Sequence, residues 1–262
     1  MFHKFVAVAL SAMLALIFIV GCATGAPRLL LTQDSDSQQD ETSNDAGDQE
    51  PAAAVDETDD EPHPALLDPS LAAEQAPETY RVLVDTTKGQ FVIEVVRAQS
   101  PNGADRFYNL VDIGYFEDIA VFRAIDGFMF QFGIHGDPEV ASQWSESTIM
   151  DDANAGITNA IGTITFAKTG LPNSRSTQLF INLGNNDGLD RQGFTPFGAV
   201  VQGMDVVRSI NTEYGENRRR DNVQGNLKAQ GNEWVREKFP NLDFINSITL
   251  MDDDSADGSE GG

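Results

Sequence analysis

Apolar and polar side chains alternate along much of the chain between residues 80 and 251, and this pattern predicts many short β-strands. Residues 80–86 and 90–96 alternate most clearly, and Thr87, Lys88 and Gly89 between them predict a tight hairpin turn. Further short apolar runs bounded by Gly, Asn and Asp predict strands at 162–168, 178–183, 197–201 and 242–251.

Helical spacing replaces this alternation in three places. Asn102 can cap a helix that Gly114 ends, and Asp105 lies in its first turn. Its apolar positions are Ala104, Phe107, Leu110 and Val111. Two further helices are expected, one at 204–210 and one at about 229–239.

The predicted elements define a mainly β fold. Many short strands with two or three helices favour a closed antiparallel β-barrel capped by helices, because closure removes the unpaired edges of a sheet. The polar stretch 136–156, with Trp144 as its large apolar anchor, is expected to be a long loop. No internal repeat is apparent.

The stretch 121–133 predicts a further hairpin. Two short apolar runs flank Asp126 and Gly127, a pair that can adopt positive φ and reverse the chain. If both arms are strands, alternation points Phe128 and Phe130 to the same face.

Met129 and Gln131 then point to the opposite face, and Arg123 lies beside them across the hairpin. A guanidinium next to an amide and a thioether is unusual for a purely structural hydrophobic core. These residues fit an apolar pocket with one charged donor at its lip. They also fit a surface Arg, an ordinary buried Met and a solvated Gln, so the hairpin alone does not decide between the two.

The first 22 residues have the layout of a secretory signal. Lys4 precedes an apolar run at 5–20, and the segment closes with Ile-Val-Gly-Cys. This ending resembles a bacterial lipobox, in which Cys22 would receive lipid and become the new first residue. Cys22 is the sole cysteine, so no intramolecular disulfide can form. The alternative is an uncleaved anchor, although the run falls short of the roughly 20 residues that a spanning helix needs.

The strong acidity of the chain belongs to its two tails. Residues 23–79 contain fifteen Asp and Glu against Arg28, and residues 252–262 contain five acids and no base. Of the formal net charge of −24, residues 80–251 carry only about −6. The composition predicts a disordered acidic tether and a disordered acidic tail around one folded domain. The charge argues against nucleic-acid binding and for a linker that holds the domain off a membrane.

Three ordered blocks within 80–251 carry a more specific signal. They are 122–131 (Phe-Arg-Ala-Ile-Asp-Gly-Phe-Met-Phe-Gln); Ala167 with 172–174 (Pro-Asn-Ser) and 177–182 (Thr-Gln-Leu-Phe-Ile-Asn); and 186–190 (Asn-Asp-Gly-Leu-Asp) with 197–198 and 201–207. With these blocks the domain resembles a cyclophilin-type peptidyl-prolyl isomerase, with Phe122 where the family has His. The resemblance implies an eight-stranded antiparallel barrel with a helix at each end and an active-site groove on its outer surface.

The resemblance also implies the roles of individual residues. Arg123 is the expected catalytic residue, with Gln131 beside it. The expected proline pocket consists of Phe128, Met129, Phe180, Leu189 and Phe194, the last standing where many relatives have His. The peptide is expected to be held by Gln131, by the backbone around Ala167 and Lys168, and by Gln178, which orders this network.

Two departures from the family pattern concern the pocket and leave Arg123 untouched. Gly188 stands where some relatives carry Trp, and the loop at 190–194 looks longer. Both bear on cyclosporin binding and on the shape of the proline pocket. No metal or cofactor is expected, because the histidines are only His3, His63 and His135 and form no ligand cluster.

These features together favour a peptidyl-prolyl cis-trans isomerase that assists the folding of exported proteins. It would be anchored through lipidated Cys22 in a bacterial envelope, on the outer or the cell membrane, with its domain facing the periplasm or the exterior. The expected partners are proline-containing unfolded or partly folded polypeptides, and a monomer is expected. The alternative is a non-catalytic cyclophilin-like chaperone or scaffold that binds proline-containing segments. A barrel enclosing a small ligand is weaker, because small barrels are usually filled by their own side chains.

Overall fold

The computed structural model describes residues 61–215 and 222–252, and this part of the chain is mainly β. Its strands are β1 (Thr79–Thr86), β2 (Gly89–Val96), β3 (Ile119–Ala120), β4 (Arg123–Ile125), β5 (Met129–Phe132), β6 (Thr163–Phe166), β7 (Leu179–Asn182), β8 (Pro196–Gln202) and β9 (Phe244–Leu250). They form one sheet in the order β3-β9-β1-β2-β8-β6-β7-β5-β4. Every pairing in it is antiparallel.

The two edge strands of this sheet are consecutive in the chain. β3 and β4 lie at opposite ends of the strand order, yet only Val121 and Phe122 separate them. Because each residue of extended chain spans at most about 3.6 Å, the edges must lie close together and the sheet must curl around its core. The predicted mainly β, antiparallel fold is confirmed. The sheet has nine strands rather than eight, because the two-residue β3 pairs with β9.

Within residues 61–215 and 222–252, four α-helices accompany the sheet. They are α1 (Pro101–Asp112), α2 (Pro138–Glu146), α3 (Met204–Ser209) and α4 (Val223–Lys238). The sequence correctly predicts α1 and α3. α4 starts earlier than predicted, and Gly231 kinks it with a φ of 73°. Within 61–215 and 222–252, no helix combines the length and apolar character that crossing a membrane requires.

α2 lies inside the stretch 136–156 that the sequence pattern predicts to be a loop. Pro138 occupies its first turn, and the Asp137 carboxylate accepts a hydrogen bond from the amide of Glu139 at 2.7 Å. Val140 and Trp144 are buried one helical turn apart. The helix is short and polar elsewhere, so its apolar periodicity is too weak to stand out from a loop.

The packed chain begins before the predicted domain start at Tyr80. Ala65 and Ala76 are buried, and the indole Nε1 of Trp144 donates to the carbonyl of Leu66 at 3.0 Å. The side chain of Asn109 on α1 bonds both the amide and the carbonyl of Glu74, at 2.9 and 2.7 Å. The tether prediction is therefore wrong for residues 61–79, where a few small apolar contacts and backbone hydrogen bonds outweigh a polar composition. Its part at 23–60 lies outside the described residues, as do Cys22 and residues 253–262.

The N-terminus of α1 is capped from a distant loop rather than by Asn102. The Asp152 carboxylate accepts hydrogen bonds from the backbone amides of Asn102 and Gly103, both at 3.0 Å, and from the Ser100 hydroxyl at 2.5 Å. It also pairs with Arg175 at 2.9 Å, and both side chains are almost fully buried. Burial alone would raise the pKa of Asp152, but the hydrogen bonds from Ser100, Asn102 and Arg175 outweigh it and hold that pKa below its ordinary value.

We expect Asp152→Asn to lower the free energy of unfolding by about 3 kcal/mol at pH 7, because it leaves the Arg175 guanidinium buried without its counter-charge. The carboxylate has a lower pKa in the folded than in the unfolded chain. Its stabilisation is therefore complete above the unfolded value of about 4 and is lost as the pH falls through the folded value. Chemical denaturation at pH 7 and pH 3 should show the difference between wild type and variant shrinking in acid.

The matched control is Asp112→Asn, the same substitution at the exposed C-terminal end of α1. It should leave the free energy of unfolding unchanged or slightly higher, because a negative charge is unfavourable at that end of a helix. Equal losses from the two variants would contradict the capping role of Asp152.

Candidate active site

The hairpin of β4 and β5 brings the predicted catalytic pair together. Arg123 and Gln131 are register partners across it. The Arg123 Nη1 donates to the Gln131 Oε1 at 3.3 Å and lies 3.9 Å from the sulfur of Met129. The Arg123 guanidinium also lies over the ring of Phe128, 5.6 Å from its centre.

β7 adds two further predicted residues beside this hairpin. Phe180 pairs in register with Gln131 and is almost fully buried. The Gln131 Nε2 donates to the Gln178 Oε1 at 2.9 Å, while the Gln178 carbonyl accepts from the amide of Ala167 at 2.8 Å. The amide side chain of Gln131 therefore connects the guanidinium of Arg123 to the segment after β6.

The remaining predicted pocket residues lie in the loop between β7 and β8. This loop contains a 3-10 helix, Asp187–Gln192, which ends at Gly193 in the left-handed conformation. Leu189 and Phe194 are half-buried in it, and the ring of Phe194 meets that of Phe180 edge to face at 5.8 Å. The structure thus brings Phe194 against Phe180 of β7, and Asn186 of the same loop bonds the carbonyl of Phe128.

Phe128 does not point with Phe130 as strand alternation predicts. β5 begins only at Met129, so Phe128 belongs to the turn, where the period of two does not apply. Phe130 is fully buried in the core, whereas Phe128 is half-buried beside Arg123. This correction places Phe128 where the family resemblance expects it.

Hydrogen bonds to its carbonyl hold Phe128 in place. This oxygen accepts from the amides of Leu183 and Gly184, at 2.9 and 3.2 Å, and from the side chain of Asn186 at 2.8 Å. A Cβ at position 184 would lie 2.0 Å from the carbonyl oxygen of Gly127, so only glycine allows the turn to approach this closely.

A set of buried amides, missed by the sequence reasoning, fixes the loop that carries Leu189 and Phe194. The Asn159 Nδ2 donates to the Asp190 carboxylate at 2.7 Å and to the Phe194 carbonyl at 2.8 Å. The Asn182 Nδ2 donates to the Asn159 Oδ1 at 3.2 Å. The one available signal was Asn182 at the end of an otherwise apolar strand, because a polar side chain there needs a partner.

The charge of Asp190 is part of this arrangement. Burial would raise its pKa, but the hydrogen bonds from Asn159 and Thr158 outweigh that effect and hold the pKa below its ordinary value. The carboxylate therefore stays ionised at neutral pH and accepts hydrogen bonds from both the backbone amide and the Nδ2 of Asn159, at 2.9 and 2.7 Å.

A polar pocket of about 140 Å³ adjoins Gln131. Ala167, Lys168 and Gln178, all predicted to hold the peptide, line it together with Gln131. The Lys168 ammonium lies 3.3 Å from the Asp151 carboxylate, so its charge is compensated locally. In the described part of the chain, no group of three or more His, Cys, Asp or Glu could hold a metal ion.

The fold and the site together define a class: a curled antiparallel sheet that carries an arginine, an amide and an aromatic wall at one surface. The cyclophilin type peptidyl-prolyl cis-trans isomerase family model matches residues 81–229. Peptidyl-prolyl cis-trans isomerase B of Escherichia coli strain K12 is 32% identical over 179 residues, which cover 65% of this chain and 99% of that protein. The chain belongs to the cyclophilin-type peptidyl-prolyl cis-trans isomerase family.

Further relatives agree with this assignment. A peptidyl-prolyl cis-trans isomerase of Acinetobacter baylyi is 31% identical over 133 residues, covering 49% of this chain and 70% of that protein. A crystal structure of a cyclophilin type isomerase from Cryptosporidium parvum superposes with a TM-score of 0.50. It covers 67% of this chain and 99% of its own, and at 19% identity it supports the fold alone.

We expect Asn159→Ala to weaken the binding of proline peptides several-fold, because the loop with Leu189 and Phe194 loses the donors that hold it. The free energy of unfolding should fall by about 1 to 3 kcal/mol, since the partly buried carbonyl of Phe194 and the Asp190 carboxylate lose this donor. Peptide titration followed by NMR, together with chemical denaturation, measures both effects. Asp187→Ala, an exposed residue of the same loop, is the control and should change neither. Unchanged peptide binding in Asn159→Ala would show that the loop does not form the pocket.

Proposed function

We propose that this protein accelerates cis-trans rotation of X-Pro peptide bonds, with Arg123 as the catalytic residue and proline-containing segments of exported proteins as substrates. The observation that carries the proposal is the Arg123 guanidinium, oriented by Gln131 at 3.3 Å and placed over Phe128 beside an apolar wall. This arrangement combines one directed donor with a surface on which a proline ring can rest.

The proposed reaction needs one directed hydrogen-bond donor and an apolar surface for the proline ring. Amide resonance opposes rotation with a barrier of about 18 to 20 kcal/mol, and an uncatalysed X-Pro bond isomerises in tens to hundreds of seconds. As the bond twists, the prolyl nitrogen becomes pyramidal and its lone pair, no longer delocalised into the carbonyl, can accept a hydrogen bond. A hydrogen bond from Arg123 to this nitrogen favours the twisted state over the planar one. The rings of Phe128, Phe180 and Phe194 would hold the proline while the carbonyl side rotates.

The electrostatic contribution of Arg123 can be measured directly. We expect Arg123→Ala to lower kcat/KM for cis-trans exchange of a short Ala-Pro peptide about 100-fold, the loss typical of one preorganised donor. NMR exchange spectroscopy on the chain without residues 1–22 measures the rate, and this chain retains the packed segment 61–79. Arg208→Ala, an exposed residue on α3, is the matched control and should retain full activity.

A folded wild-type domain that binds the peptide without accelerating exchange would contradict the enzyme proposal. The protein would then be a cyclophilin-like chaperone or scaffold. Equal rates in wild type and Arg123→Ala would instead remove Arg123 from the catalytic role.

The proposed location rests on the sequence of the first 22 residues. The apolar run at 5–20 ends in Ile-Val-Gly-Cys, and Cys22 is the sole thiol available for lipidation. A lipid at Cys22 would anchor a monomeric domain to the membrane of a bacterial envelope, through the acidic residues that follow. Such an anchor would put the active site where newly exported chains pass. The net charge of about −6 at 80–251 is consistent with polypeptide rather than nucleic-acid partners.

We expect Cys22→Ser to move the protein out of the membrane fraction of bacterial cells, because it removes the only thiol that could carry the lipid. Metabolic labelling with a palmitate analogue, followed by fractionation, tests this. Wild type should be labelled and sediment with membranes, whereas the variant should not be labelled. Labelling of the variant would contradict the proposed site, and membrane retention without labelling would indicate an uncleaved anchor.

A further inference from the structure

One residue of α4 joins the two ends of the segment 119–135, which contains β3, β4 and β5 and therefore the proposed catalytic pair. The Asn232 Nδ2 donates to the carbonyl of Asp118 and to its carboxylate, the latter at 3.0 Å. The backbone amide of Asn232 donates to the carbonyl of Gly136 at 3.2 Å. Asp118 comes immediately before β3, and Gly136 follows β5 by four residues. Asn232 thus bridges the entry and the exit of this segment.

Two glycines allow this close approach. Gly231, which kinks α4, directly precedes Asn232, and a Cβ at position 231 would lie 2.4 Å from the carbonyl oxygen of Gly136. A Cβ at position 136 would lie 2.2 Å from the Asn232 Nδ2 and would displace that side chain. The second half of α4, residues 232–238, lies beyond the family match at 81–229. The bridge is therefore a feature of this chain outside the matched region.

The strand that carries Arg123 has little support from the sheet on one side. Among the described strands, β4 pairs with β5 alone, whereas β5 also pairs with β7. Phe122 before β4 and Ile134 after β5 belong to one apolar cluster with Val235 of α4. Hydrogen bonds and apolar packing thus both connect the second half of α4 to the segment 119–135.

Asn232 is a better candidate for this support than Arg236, which also pairs with Asp118. The side chains of Arg236 and Asp118 are 52% and 56% exposed, and an ion pair between exposed groups contributes little and is screened by salt. Asn232 is half-buried and bonds both ends of the segment. Asp118 has a φ of 51°, a left-handed conformation that is uncommon for a residue with a side chain. The bond from Asn232 to the Asp118 carbonyl therefore acts where the backbone turns into β3.

We propose that Asn232 is a positioning residue, which holds the segment 119–135 so that Arg123 and Gln131 keep their geometry while the X-Pro bond rotates. The inference rests on the proposed function. A small displacement of a directed donor removes much of its effect on the transition state, whereas the binding of the planar substrate depends less on that donor. Loss of the Asn232 side chain should therefore lower kcat more than it raises KM.

The test uses the full chain in mild detergent and a short Ala-Pro peptide, whose NMR exchange rates over a range of concentrations give kcat and KM. All variants are assayed at a temperature where chemical denaturation shows them to be folded. We expect Asn232→Ala to lower kcat about fivefold and to change KM by about twofold or less. Gln230→Ala removes an exposed amide of the same helix, and this control should change neither.

A pair of substitutions that keeps the size of both side chains tests the bridge itself. Asn232→Asp should lower kcat at least as much as Asn232→Ala, because the new carboxylate repels that of Asp118. Adding Asp118→Asn to Asn232→Asp should restore part of the loss, because the amide at position 118 can donate to the carboxylate at position 232.

The outcomes separate this inference from the proposed function. An unchanged kcat in folded Asn232→Ala, with or without a loss of stability, overturns the inference and leaves the isomerase intact, as does a higher KM at constant kcat. If the wild type does not accelerate exchange, the proposed isomerase fails and the inference is judged by NMR of the Arg123 Nε–H and the Gln131 side-chain amide. Shifted or broadened signals in Asn232→Ala, but not in Gln230→Ala, support it. Signals identical to those of the wild type overturn it.

Discussion

The structure depends on the short connection between the two edges of its sheet. A chain that passes from edge strand β3 to edge strand β4 through Val121 and Phe122 alone forces the remaining strands to curl between them. The curl turns one face of the sheet into a buried core. It also puts Arg123 at the very start of an edge strand, where its side chain can lie at the surface while its backbone is held by the sheet.

The surface beside Arg123 is built by loops. Loops lack the regular backbone hydrogen bonds of a sheet, and here buried hydrogen bonds to side chains and backbone carbonyls take their place. Phe128 is held through its carbonyl, and the loop with Leu189 and Phe194 is held through Asn159 and Asp190. A buried donor or acceptor without a partner costs about 1 to 3 kcal/mol. A loop conformation that left any of these groups unpaired would therefore be unfavourable. This sensitivity makes the loops nearly as well defined as the strands. It also explains how an irregular backbone can hold aromatic side chains in defined positions.

Most of the sheet could be predicted from the sequence because a period of two is a local property. The hairpin at β4 and β5 was found from the turn pair Asp126 and Gly127 and from alternation alone, and the register partners Arg123 and Gln131 followed from it. Alternation failed at Phe128, where the strand had not yet begun.

What the sequence did not predict depends on contacts between distant parts of the chain. Asp152 caps a helix some fifty positions before it, and a segment of acidic composition packs against Trp144 through backbone carbonyls. Neither contact leaves a periodic pattern, so the sequence reasoning placed the cap at Asn102 and the domain start at Tyr80. The roles of the site residues came from three ordered blocks rather than from periodicity, because chemistry at a site needs particular side chains and no repeat.

Phe122, the residue before Arg123, links the start of β4 to a helix that is distant in the sequence. It is almost fully buried in an apolar cluster that also contains Val223 and Leu227 of α4, and a polar side chain there would need its own partner. Removing either Phe122 or the apolar face of α4 would expose the other to water. The start of β4, which carries Arg123, and the first turn of α4 therefore share one apolar cluster, which also contains Phe239 and Phe244. A displacement of α4 would disturb this cluster, so packing couples the helix to the strand that carries Arg123.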